Sequence, residues 1–173
     1  LTLFRAGTHG VHVVGASNGS TTGTRLHRLR VVDPGQQAIK INQSSAGYPD
    51  EGELSCSELL MTDAGRPNVA GCYTGGVDAH QARGWRVRDN YIEGFWCEQG
   101  LSEHGIHFWR SNADTVIERN VIVDCARGIG LGLVDTGVPD ERTYPEYDCG
   151  TEYIGDYHGL VRNNVVFASR AEL

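Results

Sequence analysis

One six-residue pattern recurs along the chain: an apolar residue, two others, a small polar residue that is usually asparagine, one more, and a second apolar residue. Full copies are Val87–Ile92, Ile117–Ile122 and Val161–Val166, with Asn90, Asn120 and Asn164 at the fourth position. Degenerate copies run Leu26–Val31 and Leu54–Leu59, where Leu29 and Ser57 take the asparagine slot. Starting points lie 28, 33, 30 and 44 residues apart, a spacing that fits stacked repeats once loop insertions are allowed. Interleaved with these are short alternating segments, most of them preceded by glycine: Val11–Val13, Ile39–Ile41, Val77–His80, Ile106–Trp109 and Ile129–Leu133. Alternation with period two predicts strands with one buried face.

Each repeat thus supplies a strand, a turn, two short strands bent at the asparagine, and a turn back. Stacked at about 4.8 Å, equivalent strands pair in parallel. A repeated asparagine ladders its side-chain amides from one repeat to the next, satisfying polar groups that the bend would otherwise bury. The expected fold is all-β: a right-handed parallel β-helix, or solenoid, of about five coils, one for each copy of the pattern, in a single domain over residues 1–173. A β-sandwich is the competing arrangement of short strands. Against it, asparagine-glycine occurs only as Asn18-Gly19, and like residues recur at coil spacing rather than hairpin spacing.

Composition sharpens this reading. Glycine at 23 residues with 5 prolines, and no three-residue period, implies many turns and excludes collagen-like packing. Lys and Arg number 15 against 22 Asp and Glu, a formal charge of -7 with no basic stripe, so no nucleic-acid partner is expected. No apolar run approaches the roughly 20 residues that span a bilayer, so no membrane partner is expected either and the chain reads as soluble. It opens Leu1-Thr2-Leu3, which suggests a processed chain or a piece of a longer solenoid. Cys56, Cys72, Cys97, Cys125 and Cys149 are irregularly spaced. They read as buried or half-buried thiols, with a Cys56–Cys72 bridge as the main alternative.

The alternating strands also place the candidate chemistry. Their intervening residues point outward and stack in columns. One column reads His12, Lys40, Asp78, His107, Gly130; its neighbour reads Val14, Asn42, His80, Trp109, Gly132. Adjacent members fall roughly 5 Å apart, so Asp78 is expected to meet His107, and His80 to meet Trp109. A carboxylate beside an imidazole suits proton transfer. Asp78, His107 and His80 are therefore the candidate catalytic residues. Lys40 is the expected clamp for a substrate carboxylate, Trp109 a platform for a sugar ring, and Asn42, Glu103 and Asp135 further substrate contacts.

Gly130 and Gly132 leave room above this column. Insertions at 60–76, 93–105 and 134–158 are expected to wall the face into a cleft. His12 and His104 read as ordinary solvated or turn residues, and Trp85, Phe95 and Trp96 as packing residues under the turns. Calcium held by Asp78, Glu98 and Glu103, or zinc held by His80, His104 and His107, are the metal alternatives. No recognised calcium loop is present, and no metal or other cofactor is expected.

The stretches Gly76–His80, Asn90–Gly94, Glu103–Trp109, Arg119–Asp124 and Arg127–Gly130 resemble the repeats of right-handed parallel β-helix proteins of the pectin-lyase-like superfamily, over about residues 10 to 168. The resemblance implies a polysaccharide- or oligosaccharide-active protein working on this same sheet, and an extracellular or periplasmic location. A lyase on an acidic, uronate-containing polysaccharide fits best, because Asp78 is the one acidic floor residue and a hydrolase needs a carboxyl pair. The alternative is a non-catalytic carbohydrate-binding or structural solenoid. No amphipathic capping helix is evident at either end. Leu1–Phe4 and Val165–Phe167 would then lie at raw edges and favour homo-oligomers joined end to end.

Overall fold

The computed structural model describes residues 1–132, 142–147, 155–171 and 173. Among them the chain is all-β, with three single-turn 3₁₀ helices as its only helical segments. Three parallel sheets carry it. The first contains Val11–Val14, Ile39–Asn42, Val77–His80, His104–Arg110 and Arg127–Leu131. The second contains Arg25–His27, Glu53–Ser55, Arg86–Arg88, Val116–Glu118 and Leu160–Arg162. The third contains Thr2–Phe4, Arg30–Val32, Glu58–Leu60, Tyr91–Glu93, Val121–Val123 and Val165–Phe167. The chain visits first, second and third sheet in turn and returns to the first, each time beside the strand it laid down one repeat earlier.

Apolar positions of all three sheets meet in one core. Ile39, Ile41, Val77, Ala79, Ile106 and Phe108 of the first sheet, Leu54, Val87 and Ile117 of the second, and Leu59, Ile92 and Ile122 of the third are fully buried. Burying each of the larger ones contributes roughly 1.5–3 kcal/mol. Trp85 and Phe95 are fully buried and Trp96 nearly so, in line with their reading as packing residues.

The bend between second and third sheets is built as its sequence pattern predicts. Asn120 donates from Nδ2 to the Val87 carbonyl (2.9 Å) and to Asn164 Oδ1 (3.0 Å), while its own Oδ1 accepts from the Asn90 backbone (3.1 Å) and Asn90 Nδ2 (2.9 Å). Asn90 in turn accepts from the Ser57 backbone at 3.0 Å, and Ser57 Oγ from the Leu29 backbone at 3.1 Å. Serine thus continues the ladder where asparagine is missing. The residue before each slot, Arg28, Cys56, Asp89, Arg119 or Asn163, is left-handed, with φ between 52° and 57°. That conformation is unfavourable for a side chain with a Cβ, and the ladder bonds beside it help hold it.

The cysteine expectation needs correction. Cys72 and Cys97 form a disulfide with Cα atoms 5.4 Å apart and Cys56 is exposed and free, whereas Cys125 is the half-buried thiol expected and Cys149 lies outside the described residues. The reason lies in the insertions. Residues 60–76 and 93–105 extend the same return turn in successive repeats, so their tips stack, whereas Cys56 sits in the asparagine bend. Arg66 strengthens the contact by donating to the carbonyls of Gly94 (2.5 Å) and Trp96 (3.4 Å). The described part of the third insertion docks on the opposite side. Arg142 makes a two-pronged ion pair with Asp50 (2.7 and 2.8 Å), and Arg83 bridges Asp114 and Glu146. No helix among the described residues is long and apolar enough to cross a membrane.

Candidate functional site

Five of the seven histidines, His9, His12, His80, His104 and His107, lie on or just before strands of the first sheet. Its central outward residues are not solvated: Lys40 is 7% exposed, Asp78 3% and His107 2%. Tyr73, carried beside Cys72, and Glu103 close over this face. With Asp78, His80, His107 and Trp109 they line a cavity of about 260 Å³. Charges in so dry a place must pair. Lys40 Nζ donates to Asp78 Oδ2 (2.5 Å) and to Tyr73 Oη (3.3 Å) and lies 3.0 Å from His80 Nε2. His80 Nε2 lies 3.2 Å from Asp78 Oδ1. Both of its close contacts fall on Nε2, leaving Nδ1 without a partner among the described residues.

Burial opposes ionisation of Asp78, but its contacts with His80 and Lys40 outweigh it and hold the carboxyl below its ordinary value. Glu103 is held well below the usual carboxylate range by the imidazoles of His104, 3.9 Å away, and His107, 3.1 Å away. Both carboxyls facing the cavity are therefore ionised at neutral pH.

The columns hold in part. Asp78 pairs in register with Lys40 and His107, and His107 with Gly130. The expected Asp78–His107 hydrogen bond is replaced by two separate pairs. Asp78 turns to Lys40 and His80, and His107 places Nδ1 3.1 Å from Glu103 Oε2 and donates from Nε2 to the Gly132 carbonyl at 2.9 Å. The ammonium of Lys40, buried one strand away, draws the Asp78 carboxylate to its own side. Lys40 is accordingly spent on its own carboxylate rather than held free as a clamp.

His80 and Trp109 lose their register because a bulge after Ala79 opposes His80 to Arg110. Their rings still touch edge to face, with centroids 4.6 Å apart. Asn42 does not join the group: its amide bonds His12 and the Gln43 carbonyl. His104 is not the solvated or turn residue expected, since it lies on a strand, its side chain is 12% exposed and its ring packs on His107 with centroids 4.2 Å apart. Asp135 lies outside the described residues.

Tyr73 was missed because nothing in the alternating pattern marks a residue at the end of an insertion. His9 was missed because it precedes its strand. Burial, then the charges of His12 and Lys40, lower its pKa. Of groups able to hold a metal, the described residues bring together Glu103, His104 and His107, not the trio with His80. A larger cleft of about 710 Å³ lies beside Trp96. Its arginines are already committed, Arg66 to Asp63 and two carbonyls, Arg170 to Asp63 and Asp124, so it reads as structural.

No protein-family model matches this chain, and neither a curated protein nor a solved structure does.

Proposed function

We propose that the three sheets are the faces of one right-handed parallel β-helix of the pectin-lyase-like kind, whose first-sheet cavity cleaves an acidic, uronate-containing polysaccharide by β-elimination. The observation that carries this is the Lys40–Asp78–His80 array with the Tyr73 hydroxyl at the cavity wall. His80 Nε2 meets both Asp78 Oδ1 and the Lys40 ammonium; in the tautomer that donates Nε2–H to Asp78, Nδ1 carries the lone pair of a base. It takes the proton from the carbon next to the uronate carboxylate. The electron pair forms the ring double bond as the bond to the glycosidic oxygen breaks, and Tyr73 returns a proton to that oxygen. The Lys40 charge favours the carboxylate as negative charge builds on it, and Trp109 offers its ring to the sugar.

Two ionised carboxyls support elimination over hydrolysis. A glycosidase requires one carboxyl kept protonated as the acid, and both Asp78 and Glu103 are pushed the other way. Non-catalytic carbohydrate binding is the second reading, favoured by one observation: Lys40 is consumed in its own ion pair. The Cys72–Cys97 disulfide fits an oxidising, extracellular or periplasmic setting.

The test is a screen of uronate-containing polysaccharides for the ultraviolet absorbance of unsaturated products. Wild type is expected to generate them, and His80→Ala and Tyr73→Phe to lose roughly 100-fold or more, the usual worth of a positioned acid or base. Equal rates in wild type and variants would remove the proposed site. Binding without product, weakened by Trp109→Ala, would establish the second reading.

A further inference from the structure

Glu103, His104 and His107 sit on one short stretch of chain at the mouth of the first sheet, with one ligand atom from each lying within 4.8 Å of the others. The hydrogen bonding around them is incomplete in a specific way. A carbonyl can only accept, so the 2.9 Å contact of His107 Nε2 with Gly132 oxygen places a proton on Nε2. In the neutral ring Nδ1 then carries a lone pair, and it faces Glu103 Oε2 at 3.1 Å. Two electron-rich atoms that close require a cation between them. A proton would serve that pair alone. It would leave His104 Nδ1, which is buried without a hydrogen-bond partner and lies 3.9 Å from the same Glu103 oxygen.

A metal ion serves all three at once. From these observations we infer that Glu103, His104 and His107 form a binding site for a first-row divalent ion of the zinc class. Two imidazoles and one carboxylate are the borderline donors that zinc takes, at about 2 Å each, and calcium, which wants oxygen ligands throughout, does not suit them. Such a set leaves a fourth position open. Since Glu103 and His107 line the cavity, that position lies toward it.

The surroundings are built for this geometry. The Gly132 carbonyl fixes the His107 tautomer, the outer support that ligating histidines generally have, and it does so from a left-handed residue with φ of 86° that favours glycine. Gly130 lacks the side chain that would strike the His104 ring: a Cβ there would lie 2.5 Å from Nε2. The two bare positions of the glycine pair are thus occupied by His104 and its neighbour's hydrogen bond. The inference does not depend on the polysaccharide reading, and its readout is metal binding rather than turnover.

The test titrates zinc chloride into the tag-free full chain, stripped of metal with chelator, by calorimetry. One equivalent is expected for wild type and for the surface control His27→Ala. Affinity is expected to fall roughly tenfold or more, the loss seen even for outer-shell partners, in Glu103→Gln and His104→Ala. It should also fall in Gly130→Val, which keeps every ligand but crowds the His104 ring. Circular dichroism verifies that each variant is folded, and cobalt substituted for zinc should give visible bands that change in His104→Ala. Unaltered affinity in Glu103→Gln and His104→Ala, or no stoichiometric binding by wild type, would overturn the site and leave a Glu103–His107 ion pair only.

Discussion

Asp156 places a carboxyl where its charge is poorly supported. Its Oδ1 is buried without a hydrogen bond, and Oδ2 accepts from Thr115 Oγ1 at 2.9 Å. Burial, partly offset by that hydrogen bond and reinforced by the Asp114 charge, pushes its pKa up to about 6. A carboxyl raised in the fold stabilises the protein fully below its unfolded value, and that stabilisation is lost as pH rises through the folded value. The window here is about pH 4 to 6, and the stability lost across it is up to roughly 3 kcal/mol. Asp156→Asn should therefore raise the urea midpoint near neutral pH and leave it unchanged near pH 4. Equal midpoints at neutral pH would contradict this account. The sequence concealed Asp156 within a long insertion, whereas Asn90, Asn120 and Asn164 were plain because one side chain recurs at one slot. His104 was hidden for another reason. Three residues from His107 on a strand, it reads as facing the other way, and only the space left by Gly130 shows where its ring goes.

Among elements, the paired insertions at 60–76 and 93–105 matter most, since they carry Tyr73 and Glu103 to the cavity. The Cys72–Cys97 bridge that joins them spans 25 residues and contributes roughly 3 kcal/mol by restricting the unfolded chain. Replacing both cysteines by serine should lower the thermal midpoint and also reduce the proposed elimination activity, in which Tyr73, one residue from the bridge, is assigned the acid. A lower midpoint with full activity would show that Tyr73 is held by other means. The strands themselves were legible from their alternation, and their register was right from Val77 to Ala79. It failed at His80, because a bulge adds a residue without disturbing the hydrophobic pattern. Pairing between distant cysteines was equally invisible, since it depends on which turn each insertion lengthens.

At the scale of the molecule, burial falls away at the last repeat. Ile117 and Ile122 are fully buried, whereas their strand partners Val161 and Val166 are 44% and 58% exposed, and Phe167 54%. An open strand edge lined with apolar side chains favours pairing with another copy. Sedimentation velocity should show association that grows with concentration and disappears in Val166→Glu. A monodisperse monomer at high concentration would argue against it.

The asparagine ladder has a mechanical consequence as well. Every one of its bonds joins a repeat only to its immediate neighbours, so damage is passed along the stack step by step, like a zipper opening from one end. Lys40, Asp78 and His107 sit on the second, third and fourth strands of the first sheet. A repeat that opens therefore loosens its direct neighbours first, and the repeats beside Lys40, Asp78 and His107 stand between that opening and the candidate site.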